Sequence, residues 1–411
     1  MKDARIQALE NELKMKEFKL NSLLEITKGI NTNESVAHLL AIFEFILKEQ
    51  LGLDKFVLFN KQDRWNYILK VGVKGKIKNI HVKRDLTRFK DITMIESSHI
   101  EELNEFDVVI PVYHKSVPLA FLLIKHSDYD DVTTIKGPLP NLSFIQTLTN
   151  IIVVAIENKR MAKQGIRQER IKKELEVASE MQKLLFPAEL PSDRRLDLAA
   201  TYKARHEVGG DYYDFIRLND DEFIVCIADV SGKGISAAML MANFQATIRT
   251  LLNYQNFELE FLIEELNKKV MTSAKGEKFI TFFIGKYNSK TRKLKYVNAG
   301  HNHPILTNGR KAHFLNRGSV GLGMLDEMPF IESAEVEIKP NSTLVLYTDG
   351  VVELQNKEGE YFETDRLVKL IHSFYPLKME DLNNLVFSKL DDFRGKEELV
   401  DDTAIFSCRI F

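Results

Sequence analysis

Between Ala155 and about Leu185 the chain has no proline, a single glycine at Gly165, and a high density of Lys, Arg, Glu and Gln. Such residues lose little freedom on entering a helix, so the stretch predicts one continuous helix, ended by Pro187 and Pro191. A chain of 411 residues is too long for one typical core. A helix of this kind divides it, with one folded region before it and another after. Ile171, Leu175, Ala178 and Leu185 fall near a and d positions of a heptad, with Gln182 as a polar member of the seam. The basic run KRMAKQGIRQERIKK reads as a solvated helix face.

Apolar residues make up 44% of the chain and charged residues 28%, enough for packed cores. Lys and Arg (57) nearly cancel Asp and Glu (59), so no global field draws the molecule to nucleic acid or to an anionic membrane. The longest purely apolar run, Ile151 to Ile156, is far shorter than the roughly 18 to 20 residues of a membrane helix. The segment MKDARIQALENELKMKEF is charged throughout and lacks the apolar stretch of a secretory signal. A soluble, cytoplasmic protein with no nucleic-acid and no membrane partner is expected. Cys226 and Cys408 each sit inside an apolar strand-like run and are expected to be buried small hydrophobes.

In the N-terminal region, Ile6, Leu9, Leu13, Leu20, Leu23, Leu24 and Ile26 recur at helical spacing among charges, which predicts an amphipathic helix able to pair with a second copy. AHLLAIFEFILKEQ reads as a second helix, and DKFVLFN and WNYILKVGV read as strands. FDVVIPVY and PLAFLLIKH form a hairpin about HKSV, and a helix from about Asn141 to Asn158 closes the region. This order resembles the GAF family of small-molecule sensor domains over residues 20 to 158. The resemblance is one of pattern: no NKFDE-type cyclic-nucleotide set and no cysteine for a bilin is present. It implies an unknown small-molecule or protein signal.

Beyond residue 200, aspartates recur at strand ends. VGGDYYDFIRL carries Asp211 and Asp214 after a Gly pair, and FIVCIADVSGKG carries Asp229 at the end of an apolar strand. STLVLYTDGVVE repeats the design with Asp349 and Gly350, and VDDTAIFSCRIF opens a strand with Asp401 and Asp402. One such Asp is most often a turn former or helix cap. Several brought within a few Å of one another repel, and stay ionised only if a cation compensates them. Oxygen donors without His or Cys suit Mg²⁺ or Mn²⁺. His301 and His303 in AGHNHPIL are better read as shaping a turn or a substrate rim, and Lys233 lacks the GxxxxGK[ST] spacing of a phosphate loop. Tyr212, Tyr213 and Glu353 read as neighbours of the carboxylates.

In order, EVGGDYYDF, IADVSGKGISAAMLMA, NAGHNHPIL, VGLGMLDE, LYTDGVVE and DDTAIF resemble the SpoIIE/RsbU-like branch of the PPM metal-dependent protein phosphatases, over about residues 175 to 411. EVASEMQKLLFPAELP resembles the entry helix of that branch. The resemblance implies an α-β-β-α sandwich with two Mn²⁺ or Mg²⁺ ions in a cleft at one end. Asp229 would bridge both ions, the Val230 carbonyl would ligate, and Asp211 would hold the second ion or its waters. Asp349 and one of Asp401 and Asp402, with Asp401 favoured, would complete the set. Asp211, Asp229 and Asp349 are thus the expected catalytic residues, serving hydrolysis by water that the two cations activate. Where some relatives carry His after the Asp-Gly pair, this chain has Val230 and Ser231.

The expected class is therefore α+β. Residues 1–19 would be an amphipathic helix, 20–158 a GAF-like α/β sensor domain, 159–186 a coiled-coil linker and 187–411 the phosphatase sandwich, working as a homodimer. The resemblance implies a protein serine/threonine phosphatase acting on a phosphorylated STAS-type anti-sigma-factor antagonist. The alternative is a non-catalytic receptor on the same scaffold, which would be expected to have lost at least one of these carboxylates.

Overall fold

The computed structural model describes residues 2–73, 77–95, 100–125, 141–253 and 258–411. They form two compact units, Met1–Gln168 and Glu169–Phe411.

The first unit contains α1 (Lys2–Asn31), α2 (Val36–Phe45), β1 (Lys55–Lys61), β2 (Trp65–Val71), α3 (Val82–Asp85), β3 (Thr93–Met94), β4 (Val108–His114), β5 (Val117–Lys125) and the start of α4 (Leu142–Lys183). The Ser35 hydroxyl opens α2 by accepting the His38 amide at 3.1 Å. The strands make one antiparallel sheet in the order β2-β1-β5-β4-β3. Phe56 and Leu58 face Leu39, Phe43, Leu148 and Ile152 of the helices, whereas Val57 and Phe59 enter a second core with Leu86, Leu103 and Phe106. Burial on both faces explains why DKFVLFN is apolar without alternation. α1 runs unbroken through residues 19 and 20. The helix expected to end near Asn158 and the connector expected after it are one helix, α4, of 42 residues.

The second unit holds β6 (Leu196–Lys203), β7 (Tyr212–Arg217), β8 (Glu222–Val230), α5 (Ile235–Leu252), α6 (Leu259–Ala274), β9 (Ile280–Asn288), β10 (Lys293–Ala299), β11 (Ile305–Thr307), β12 (Ala312–Phe314), β13 (Gly318–Ser319), β14 (Ala334–Glu337), β15 (Ser342–Tyr347), α7 (Asp349–Val352), α8 (Thr364–Ser373), α9 (Met379–Arg394) and β16 (Thr403–Ile410). One sheet runs β13-β10-β9-β8-β7 with β14 beside β10, and the other runs β12-β11-β15-β16-β6. Val225, Ile227 and Phe283 of the first sheet meet Leu344, Leu346 and Phe406 of the second in a shared core. Ala237, Met241, Phe244 and Ile248, three or four residues apart on α5, cover the outer face of the first sheet together with α6. Leu367, Ile371, Val386 and Leu390 of α8 and α9 cover the second. The unit is thus a helix–sheet–sheet–helix sandwich, as expected.

Cys226 and Cys408 are free and buried, and burial pushes the Cys408 thiol up to about 12. Among the described residues, no helix is long and apolar enough to cross a membrane.

Candidate metal centre

Both sheets present aspartates at one end of the sandwich. Asp211 opens β7, Asp229 sits near the end of β8, Asp349 begins α7 directly after β15, and Asp401 and Asp402 precede β16. Antiparallel pairing makes this possible, because β7 and β16 start where β8 and β15 finish.

Asp211 is 1% exposed, and its Oδ2 accepts the Thr348 hydroxyl at 2.8 Å. Thr348 Oγ1 in turn accepts the Ala404 amide at 2.9 Å, so one side chain ties Asp211 to the opposite sheet. A Cβ on Gly210 would stand 3.0 Å from the Val230 carbonyl oxygen, which places that oxygen beside Asp211. A Cβ on Gly350 would stand 1.9 Å from the Asp402 carbonyl oxygen, so only glycine lets the Asp349 turn pack against β16.

Burial, followed by the charges of Asp229 and Asp402, holds the Asp211 carboxyl well above the usual range. Burial and then Asp349, Asp401 and Asp402 raise Asp229 to about 7. Burial, Asp401 and Glu353 raise Asp349 to about 6, opposed by the Gly350 amide and Lys233. These are the shifts of carboxylates gathered without enough positive charge.

Among the described residues no group of three or more His, Cys, Asp or Glu side chains is gathered closely enough to hold a metal ion as it stands. The aspartates form a converging ring rather than a closed coordination shell. The donor chemistry fits a hard divalent cation: carboxylate and carbonyl oxygens whose charge the chain leaves largely uncompensated.

The neighbours Asp401 and Asp402 are separated by their partners. Asp402 is 7% exposed, and its two oxygens accept the amides of Arg205 at 2.8 Å and Gly210 at 2.6 Å. Its carboxylate is spent on bracing the loop that carries Asp211. Asp401 accepts the Asp402 amide and pairs with Lys233 Nζ at 2.7 Å.

Other residues singled out from sequence lie outside the ring. His301 is buried, its Nδ1 lies 2.9 Å from Thr281 Oγ1, its amide donates to Asn298 Oδ1, and burial lowers it to about 4. It is a neutral turn anchor. Asp214 is fully buried, held by Arg249 through bonds of 2.7 and 2.9 Å and by the Tyr212 hydroxyl.

A family model described as Stage II sporulation protein E (SpoIIE) matches residues 219–411. The C-terminal region is a SpoIIE-family domain. Asp229, Asp349, Asp401 and Asp402 lie within the matched span of this SpoIIE-family domain, and Asp211 lies just ahead of it. The phosphoserine phosphatase RsbU of Bacillus subtilis is 29% identical over 236 residues, 56% of this chain and 69% of RsbU. Protein IcfG of Synechocystis is 27% identical over 260 residues, and the chain spans only 41% of that relative's length. The SiaA PP2C domain of Pseudomonas aeruginosa shares the fold, with a TM-score of 0.54 at 20% identity over 60% of this chain and 99% of that one.

Three positions in and around the SpoIIE-family domain escaped the sequence reading. Thr348 precedes the Asp-Gly pair, and no local pattern marks a lone Thr there as the partner of Asp211. Lys233, judged from sequence only against a phosphate-loop pattern, is the partner of Asp401. Gln182 was assigned to a helical seam, yet it is 8% exposed and hydrogen-bonded to Gly209, two residues before Asp211.

Proposed function

We propose that this chain is a metal-dependent protein serine/threonine phosphatase. The observation that carries the reading is that Asp211, Asp229, Asp349 and Asp401, far apart in sequence, gather at one end of the sandwich, where burial and neighbouring charges hold Asp211 well above the usual carboxylate range and raise Asp229 to about 7 and Asp349 to about 6. The SpoIIE-family match and the phosphoserine phosphatase RsbU support the reaction class.

Asp211, Asp229, Asp349 and Asp401, with the Val230 carbonyl, would hold two Mn²⁺ or Mg²⁺ ions. When bound, such ions polarise a phosphoryl group and make water acidic enough to attack it near neutral pH. The chain's own part is placement. Thr348 fixes the rotamer of Asp211, Asp402 clamps the Arg205–Gly210 loop through two amides, and Lys233 orients Asp401. Buried His301, lowered to about 4, carries no imidazolium proton near neutral pH to give a leaving group.

The substrate would be a phosphoserine or phosphothreonine protein, with a STAS-type anti-sigma-factor antagonist as the first candidate. The N-terminal unit would act as a GAF-like sensor for a small-molecule or protein signal. Its antiparallel sheet, with α1, α2 and α4 on one face and the short α3 on the other, is consistent with that assignment. Homodimerisation through α1 accounts for Ile6, Leu9, Leu13, Leu20 and Leu24, each more than half exposed at near-heptad spacing.

Phosphoproteomics of cells with and without the gene tests the substrate. A single phosphosite that rises on deletion, on a STAS-fold protein, is expected. An unchanged phosphoproteome contradicts the enzymatic reading.

A further inference from the structure

The end of the C-terminal sandwich remote from the aspartates holds a cavity of about 520 Å³. β7 and β16 leave the aspartate ring and finish here at Arg217 and Ile410, and β8 departs from here at Glu222. The turn before β6 and the hairpin joining β9 to β10 close the sides, so Arg194, Arg195, Arg217 and Arg292 all line one concavity.

Their guanidinium groups are under-used. Among the described residues, those of Arg194, Arg195 and Arg217 have no ion pair or hydrogen bond, and Arg217 lies only loosely over the Phe215 ring at 6.0 Å. Arg292 gives Nε to the Ile338 carbonyl at 2.9 Å and Nη1 to the Phe411 carbonyl at 3.1 Å. Its Nη2 is shut off from solvent with no acceptor.

Acidic residues line the cavity too, but most are occupied. Asp221 pairs with Lys290 at 2.5 Å, and Glu222 is engaged by Lys286, Asn219 and Asn288. Asp193 caps the amides of Arg195 and Leu196. Three unpartnered arginines and the partly used Arg292 therefore share a cavity whose acids without a basic partner, among the described residues, are Asp220 and the capping Asp193.

We propose that this cavity binds a phosphate ester of mononucleotide size. Arginine forks match phosphate oxygens in charge and geometry. The volume lies in the range of small-molecule sites, well beyond what a lone phosphate needs. Leu196, Phe223, Tyr287, Ile410 and Phe411 supply an apolar wall for the organic part.

Isothermal titration of the metal-free full chain tests the site, with adenosine monophosphate and inorganic phosphate as probes. Without metal the aspartate ring repels both probes, so binding reports on the arginines. Adenosine monophosphate is expected to bind one to one, at least tenfold tighter than phosphate. The pair Arg195→Ala and Arg217→Ala should weaken it tenfold or more while the circular dichroism spectrum is unchanged. If that double variant fails to fold, Arg194→Ala and Arg217→Gln singly provide the same reading. No binding to the parent, undiminished binding in a folded variant, or phosphate bound as tightly as the nucleotide overturns the proposal.

Discussion

The amide of Gln182, in the last turn of α4, makes both of its hydrogen bonds to the backbone of Gly209: Nε2 donates to the carbonyl at 2.7 Å, and the Gly209 amide donates to Oε1 at 3.1 Å. Gly210 is held next by Asp402, and Asp211 follows. The connecting helix thus grips the loop that carries a candidate ligand. Phe186, just beyond the helix, adds ring contacts to Tyr202, Tyr212 and Tyr213.

Gln182→Ala leaves two backbone groups of Gly209 without partners, at a cost of about 1–3 kcal/mol. Groups that orient metal ligands typically change metal affinity or activity by about 10–100-fold. The variant should therefore need roughly tenfold more Mn²⁺ for half-maximal activity. An unchanged Mn²⁺ activation curve would show the contact to be merely structural.

Asp401→Asn and Asp402→Asn should part company. The first removes a candidate ligand charge and should raise the Mn²⁺ requirement while leaving the melting temperature of the metal-free protein near the parent's. The second weakens two charge-assisted amide bonds and should lower that temperature, by an amount corresponding to about 1–3 kcal/mol. The opposite pattern in melting and metal titration would reverse the roles given to the two residues.

Arg249→Met strands the buried Asp214 carboxylate, leaving it the Tyr212 hydroxyl and the Phe215 amide. Breaking such a pair from one side commonly costs about 3–5 kcal/mol. With Arg249 half exposed, roughly 2–4 kcal/mol is expected, read as a loss of several degrees in thermal melting. A melting temperature within one degree of the parent's would count against any structural role for the pair.

His301 gives the C-terminal unit an acid sensitivity. Its folded value of about 4 lies below the ordinary 6.5, so the unfolded chain takes up the proton first. The stability it permits is complete above about pH 6.5 and falls as pH drops toward 4, by on the order of 2–3 kcal/mol. His301→Gln should flatten the curve of denaturation midpoint against pH in that window. Equal slopes for variant and parent would refute this source.

Much of this was legible in the sequence, because an apolar strand followed by Asp and Gly is a local signal. Asp229 and Asp349 could be placed at strand ends without knowing what they face. The division of labour between Asp401 and Asp402 could not, since it depends on which way each neighbour turns relative to Gly210 and Lys233, both more than 150 residues away. Gln182 was misassigned to a seam for a similar reason: helical spacing gives its face but not what meets that face. The fusion of the closing helix and the connector into α4 was legible too, as no breaker separates Asn158 from Lys159 and the two predicted helices overlap from Ala155 to Asn158.

If the aspartate ring works by holding divalent cations, phosphate release from a phosphoserine protein depends on them. Activity should require Mn²⁺ or Mg²⁺, vanish in excess EDTA and return when metal is restored. It should fall by about two orders of magnitude or more in Asp229→Asn and Asp349→Asn, whose circular dichroism stays native. Full activity in excess EDTA, or parental turnover in either variant, would show that these aspartates do not act through a metal.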